Sequence, residues 1–330
     1  MYYIVTDSST DMPQSWVEAQ HDFHIVSLSC TINGVSSVPG TSEVAKKETY
    51  RQLRSGVVIK TSAVNTATWE ECFQKLLDEG QDVLCITFSS GLSGTYAAAA
   101  DAAKELAPKY PNQKIIVIDS RCASAGEGLL VHYALQNREQ GMSIEENAQW
   151  VKEHIQHLIH WFTVDDLMFL YRGGRLSATS AVVGSLVRIK PIMHVDEEGH
   201  LAVVEKVTGR RRSIRILANR VKEHIVNPEG QMIFISHGDC EDEANALADI
   251  IKAEIPGIAG VLVTYVGPVI WLPLRPRYAG DFLPRRPPLS AIVERKVYEF
   301  PCFLVSTSAG TQRPLLVRER PQIQELPLCV

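Results

Sequence analysis

The chain has 330 residues, a formal net charge of -5 and a hydrophobic fraction of 45%. Beyond roughly 250–300 residues a single core tends to divide, so the length predicts two lobes, while the absence of a basic excess argues against nucleic acid as a partner. No apolar stretch reaches the roughly 18–20 residues of an integral membrane segment, and Met1–Asp7 lacks the basic and apolar regions of an export signal, which predicts a cytoplasmic protein. Seven cysteines, widely scattered and without a C-x-x-C pair, predict reduced thiols and no zinc site.

Strand and helix signals alternate along the chain and predict an α/β protein. Residues 2–7 read as a buried strand, followed by the acidic loop Asp7-Ser8-Ser9-Thr10-Asp11 and a helix start near Pro13. Two aspartates four apart can bind a cation, but no third ligand converges on them, so the loop is expected to be a solvated cap. His24–Thr31 is a second strand and Glu43–Arg54 a helix. Thr66–Glu79 shows helical spacing and stops at Gly80. Asp82–Phe88, the small-residue turn Ser89–Thr95, the helix Tyr96–Ala107 and the strand Lys114–Asp119 together predict a parallel βαβ unit, with its ligand edge at the strands' C-terminal ends.

A helix over Ala123–Gln140 precedes a long helical stretch, Ser143–Trp161, in which Ser143 and Glu146 have capping-box spacing. A domain boundary is expected near Trp161, dividing the chain at 160/161. The second lobe then reads as a short strand (Phe162–Val164), a helix around Leu167–Leu170 and a hairpin of Ile189–Val195 with His200–Thr208 about an Asp196–Gly199 turn. Helices Arg212–Ile225 and Asp242–Ile255 follow, interleaved with strands Met232–His237 and Val261–Val266. This predicts a mixed sheet over residues 161–270. Residues 271–330 are rich in proline and arginine and are expected to be poorly ordered.

The turn Ser89–Thr95 is the strongest local site. Ser93 and Thr95 offer hydroxyls, Gly91 and Gly94 permit close backbone approach, and the helix beginning there presents unpaired N–H groups that favour a carboxylate or phosphate. A tight turn with a helix cap is the plain alternative. Thr61-Ser62, at the end of the Val57–Lys60 run, adds hydroxyls or merely caps a helix. Arg172-Gly173-Gly174-Arg175 holds two guanidiniums near a loop, suited to an anionic headgroup or a partner's phosphate. Arg210–Arg212 with Arg215 is either a docking patch or an exposed face. His237, Asp239 and Ser93 would be the parts of a hydrolase, although their spacing assigns no triad. His154, His157 and His160 repeat every three residues, but no complementary metal ligand accompanies them.

These motifs together resemble the DegV family of bacterial lipid-binding proteins, which includes the fatty-acid-binding subunits of a fatty acid kinase. The resemblance runs from Val5-Thr6-Asp7-Ser8 through Thr61-Ser62, Ser89–Tyr96 and Val117-Ile118-Asp119-Ser120. It continues through Tyr171–Ser177, Lys190-Pro191-Ile192 and Lys206–Arg210 to Gly267-Pro268-Val269-Ile270. It implies a two-lobed α/β fold that buries one long-chain fatty acid between its lobes, without a cofactor. In family terms Thr61, Ser62, Ser93, Gly94 and Thr95 would meet the carboxylate, and Arg172 or Arg175 would lie at the headgroup entrance and kinase-docking segment. The chain would carry substrate for a separate ATP-using kinase and would not itself be an enzyme; an acyl-ester hydrolase and a regulatory interaction module are the alternatives.

After Ile270 the resemblance is expected to stop. Family members continue with Gly-x-His-x-Gly-Pro-Gly, whose histidine faces the ligand carboxylate, whereas this chain reads Trp271-Leu272-Pro273-Leu274-Arg275-Pro276-Arg277. Permitted codons for Trp271–Leu283, reread after dropping the first base, spell Gly-Cys-His-Cys-Gly-Pro-Gly-Thr-Leu-Ala-Ile-Phe. A shifted reading frame beginning near Ile270 is therefore expected, with the ligand histidine lost, acyl binding weakened and solubility poor.

Overall fold

The computed structural model describes residues 2–32, 35–40, 42–55, 57, 59–165, 167–176, 189–271 and 303–308. Strands β1 (Tyr2–Asp7), β2 (Phe23–Val26), β6 (Asp82–Thr87) and β7 (Ile115–Asp119) form a parallel sheet in the order β2-β1-β6-β7. Aromatic and β-branched residues dominate β1 and β6, and both strands are largely buried, as expected of parallel strands covered on two faces. Helices α3 (Thr66–Asp78) and α4 (Thr95–Leu106) cover one face, burying Trp69, Phe73, Ala99 and Ala102 against Val5, Val83 and Cys85. A small antiparallel sheet of β3 (Ser29–Ile32), β4 (Val35–Ser37) and β5 (Ile59–Ser62) is joined by α2 (Glu43–Arg54), and α1 (Gln14–Glu18) follows the first strand.

The second large sheet has the order β10-β9-β8-β13-β11-β12, from β8 (Leu158–Thr163), β9 (Ile189–Val195), β10 (Leu201–Thr208), β11 (Met232–His237), β12 (Gly260–Tyr265) and β13 (Phe303–Ser308). It is mixed: β11 and β12 run parallel, and the other pairs are antiparallel. Helices α8 (Arg210–His224) and α9 (Glu241–Glu254) cover its outer face through Leu217, Val221, Leu247 and Ile251. Two further short helices are α7 (Leu167–Arg172) and α10 (Pro268–Trp271).

Between the two sheets lies α5 (Ala125–Glu139), which touches β1 on one side and β8, β11 and β13 on the other. Ten of its residues are buried, so it is apolar nearly all round, the signature of an internal helix. One continuous core therefore joins Ile4, Leu84 and Ile86 of the first sheet to Phe162, Met193 and Phe234 of the second through Leu130, Val131 and Ala134.

Several expectations change. His24–Thr31 is two strands in different sheets, because the chain leaves β1's edge at Ser27 and pairs its next segment with β4 and β5. The helix from Ser143 ends at His154 as α6 (Ile144–His154), and Leu158–Trp161 belong to β8, so the three histidines do not share a helical face. The expected capping box of Ser143 and Glu146 is present. Within the tail, Phe303–Ser308 forms a strand between β8 and β11, where an unfilled position would leave two strand edges unpaired. The expectation for residues 272–302 and 309–330, and with it the junction after Trp271, falls outside the described residues.

Candidate functional site

The C-terminal edge of the parallel sheet assembles the site. At β1, Asp7 is fully buried and its Oδ2 accepts from Phe88 N at 2.9 Å, fixing the first residue after β6. At β7, Asp119 accepts from Ser90 N at 3.0 Å and from Ser90 Oγ at 2.5 Å. Two aspartates, from the strands on either side of β6, thus hold the start of the Phe88–Gly94 loop. Its end carries a hydroxyl pair: Ser93 Oγ and Thr95 Oγ1 lie 2.9 Å apart, and Thr95 N donates to Ser93 Oγ at 3.3 Å. The pair flanks Gly94, the N-cap of α4, a twelve-residue helix whose first turn holds no acidic side chain. Free N–H groups and hydroxyls there suit an anion.

The second sheet closes over this loop. The β9–β10 turn brings Gly199 O to accept from Ser89 Oγ at 2.8 Å, and Arg121 donates to Glu197 O at 2.7 Å. A Cβ on Gly91 would stand 2.9 Å from Gly199 O. Gly91 thus admits the hairpin backbone, not a ligand as expected, while Gly94 faces open space. Arg175 also joins the loop: its Nε donates to Leu92 O at 3.1 Å and an Nη to Gly173 O at 2.6 Å, and burial lowers the pKa of its guanidinium. The side chain of Arg172 lies outside the description.

Thr61 and Ser62 sit on β5, opposite Cys30 and Ser29. The residue before Ser29, Leu28, donates its N–H to Ser8 Oγ at 3.0 Å, which places the Ser62 end of β5 beside the C-terminal edge of β1. Ser93 and Thr95 are therefore brought together directly, Arg175 meets the same loop at Leu92, and the Thr61-Ser62 segment reaches the same sheet edge through Ser29, Leu28 and Ser8. A cleft of about 310 Å³ opens beside this edge. Its polar lining includes Ser8, Asp11 and Lys46, its apolar lining Phe23, Ile25 and Val269, and none of Thr61, Ser62, Ser93, Gly94 or Thr95 faces it.

The acidic loop is the largest correction. Asp7 is 0% and Asp11 3% exposed, so it is an internal polar network and not a solvated cap. Asp11 holds the two sheets together: its Oδ1 accepts from Gly267 N at 2.7 Å, its Oδ2 from Ser124 Oγ, and its carbonyl from Thr264 Oγ1 at 2.7 Å. Ser124 Oγ in turn meets Ser236 Oγ at 2.8 Å. Burial pushes Asp11 up to about 6, opposed by the positive charge of Lys46. Lys46 and Tyr50 of α2 donate to Tyr265 O at 3.1 Å and Val266 O at 2.8 Å. Glu127, on α5, was not anticipated; an acid inside a helix buried on all sides is the signal that marks it.

The other candidates separate. His237 is buried, its Nδ1 accepts from Cys240 N at 3.3 Å and its ring packs 4.1 Å from Tyr265, while Asp239 pairs with Arg54. Neither is arranged with Ser93 as a triad. His154 stacks on Trp150 at 3.9 Å, and among the described residues no cluster of three His, Cys, Asp or Glu is placed to hold a metal. Arg210 pairs with Glu243 at 3.0 Å and Arg215 with Glu254, leaving Arg211 and Arg212 exposed.

Burial lowers His160 and His237 to about 4. A histidine depressed in this way contributes stability above its unfolded value near 6.5 that is lost as pH falls towards 4. Asp11 acts oppositely, favouring the folded state below about 4 and losing that contribution as pH rises to 6. His237→Gln is expected to recover about 2 kcal/mol of the histidine loss at pH 5, read as a smaller drop in urea midpoint between pH 7 and pH 5.

The family model described as "Uncharacterised protein, DegV family" matches residues 1–282. The chain belongs to the DegV family. The match runs past Ile270, where the resemblance was expected to stop. A DegV domain-containing protein, CPE0026 of Clostridium perfringens, is 41% identical over 270 residues, spanning 82% of this chain and 92% of that relative. The solved fatty acid binding DegV protein SAG1342 of Streptococcus agalactiae is 25% identical, covers 94% of this chain and 99% of its own, and superposes with a TM-score of 0.74. The Streptococcus pneumoniae fatty acid kinase B3 protein, solved with linoleic acid, shares the fold at a TM-score of 0.74 and 18% identity, covering 94% of this chain and all of its own. The α/β architecture with a parallel first sheet and a mixed second sheet is thus the DegV fold. Among the described residues no helix is long and apolar enough to cross a membrane.

Proposed function

We propose that this DegV protein binds one long-chain fatty acid between its two lobes, residues 1–160 and 161–270, and acts as a carrier without catalytic machinery of its own. The carboxylate is held by the hydroxyls of Thr61, Ser62, Ser93 and Thr95 and by the backbone at Gly94. The observation that carries this reading is the Ser93–Thr95 hydroxyl pair at the start of α4, on a loop whose Ser89 end is bonded to the second-sheet hairpin, in a family with a solved fatty-acid-binding member at 25% identity. A sixteen-carbon tail supplies about 11 kcal/mol gross from burial, so the polar end mainly sets orientation and offsets desolvation of the carboxylate. The partner in this reading is a separate fatty acid kinase, docking near Arg172 and Arg175, and the compartment is the cytoplasm; both rest on the family resemblance and the chain's composition.

Lipid extracted from the purified protein and identified by mass spectrometry is expected to contain free fatty acid. Ser93→Ala is expected to weaken binding of a long-chain fatty acid by about tenfold to a hundredfold, the value of one hydrogen bond to a charged group. Turnover of acyl esters that disappears in the same variant would instead establish the hydrolase.

A further inference from the structure

Beneath the loop that carries Ser93 and Thr95, two carboxyl groups share one hydroxyl. Ser9 Oγ lies within hydrogen-bonding range of Asp7 Oδ1 and 2.6 Å from Glu127 Oε2. Asp7 and Glu127 are both 0% exposed, and among the described residues neither is ion-paired with a lysine or arginine. A serine hydroxyl has one proton to give, so with both acids ionised one of the two contacts would set lone pair against lone pair. One carboxyl must therefore donate.

The neighbours decide which. Asp7 receives two backbone N–H groups, from Ser9 at 3.0 Å on Oδ1 and from Phe88 at 2.9 Å on Oδ2. These are fixed donors and demand an acceptor at each oxygen. Among the described residues Glu127 meets only rotatable hydroxyls, Ser9 Oγ and Thr6 Oγ1, the latter at 3.2 Å, and either can accept as readily as donate. We propose that Glu127 carries a proton at neutral pH, donates it to Ser9, and thereby keeps Asp7 an all-acceptor carboxylate that positions the Phe88–Thr95 loop. The titratable groups around the pair are Asp11, Cys85 and Cys122, none of them cationic. Burial and the negative charge of Asp7 both hold Glu127 well above the usual carboxylate range, in agreement with the hydrogen count.

Glu127 and Asp7 are positioning residues, and their effect on a ligand rests on the fatty acid reading above; the proton assignment does not. Glutamine mimics a neutral acid as a donor, so Glu127→Gln should fold, whereas Asp7→Asn turns an amide against fixed N–H donors. Infrared difference spectra at pH 7 are expected to show a neutral carboxylic carbonyl band in the wild-type protein that Glu127→Gln lacks. Glu127→Gln should bind a long-chain fatty acid within about threefold of wild type at pH 7, while Asp7→Asn loses about tenfold or more or fails to fold. Because the folded-state pKa of Glu127 is raised, its contribution is complete below the unfolded value of about 4.3 and is lost progressively as pH climbs from there towards the folded value, so wild-type unfolding midpoints should fall more between about pH 5 and about pH 7 than those of Glu127→Gln. A carbonyl band that survives Glu127→Gln, equal tolerance of both variants, or identical pH profiles of the unfolding midpoint would overturn the proposal. Wild-type protein that retains no fatty acid would sink the lipid reading alone, with the infrared and unfolding arms still deciding the proton.

Discussion

Gly199→Ala is expected to destabilise the protein by about 2–5 kcal/mol, read as a lowered urea midpoint at unchanged slope. Two effects add. Gly199 has φ +82°, a left-handed conformation that costs an ordinary residue about 1–2 kcal/mol. A Cβ there would also stand 2.2 Å from Ser89 Oγ and 3.1 Å from the Arg121 Cα, in the seam where the hairpin of the second sheet meets the site loop. Ser89 cannot swing aside without giving up its bond to Gly199 O, and Arg121 presents backbone. Gly94→Ala provides the control: φ is −76° and nothing lies within 4 Å of a Cβ, so its stability should change by less than about 0.5 kcal/mol. Equal effects at the two glycines would refute the seam.

Asp11→Ala is the second large effect, expected at about 3–5 kcal/mol by calorimetry or denaturant titration. Removing the carboxylate strands the N–H of Gly267, costs the hydroxyl of Ser124 its bond across the seam, and leaves the ammonium of Lys46, 5% exposed, with only the weaker influence of Glu43. Asp11 also has φ +55°, a conformation that aspartate and asparagine tolerate better than alanine. Asp11→Asn keeps the backbone preference and both hydrogen-bonding positions while removing only the charge, and should therefore recover more than half of the loss. If asparagine is as damaging as alanine, the charge next to Lys46 dominates and the hydrogen bonds matter little.

What could be read from the residues was local and periodic. The βαβ unit around Ser89–Thr95, the hairpin about Gly199 and the capping box at Ser143 each depend on neighbours a few positions away, and each stands where it was expected. Features set by distant partners were not legible. Phe23–Ile32 keeps a strand-like composition while changing sheets, because composition does not say which edge a strand pairs with. Leu158–Trp161 fits helical spacing, yet aromatic and β-branched side chains and a place beside β9 make it strand. Asp7 and Asp11 look solvated until Phe88, Ser124 and Gly267, remote in the chain, are brought against them. In the site, Ser93 and Thr95 were visible as a pattern, and Gly91 was misread because its true neighbour lies over a hundred residues onward.

The place of β13 imposes an order on assembly during translation. Every other described strand of its sheet leaves the ribosome earlier, so the facing backbone edges of β8 and β11 have no partner from this strand until it follows. Until Phe303–Ser308 is delivered, those edges are templates for extended segments of other chains, including a neighbouring nascent one.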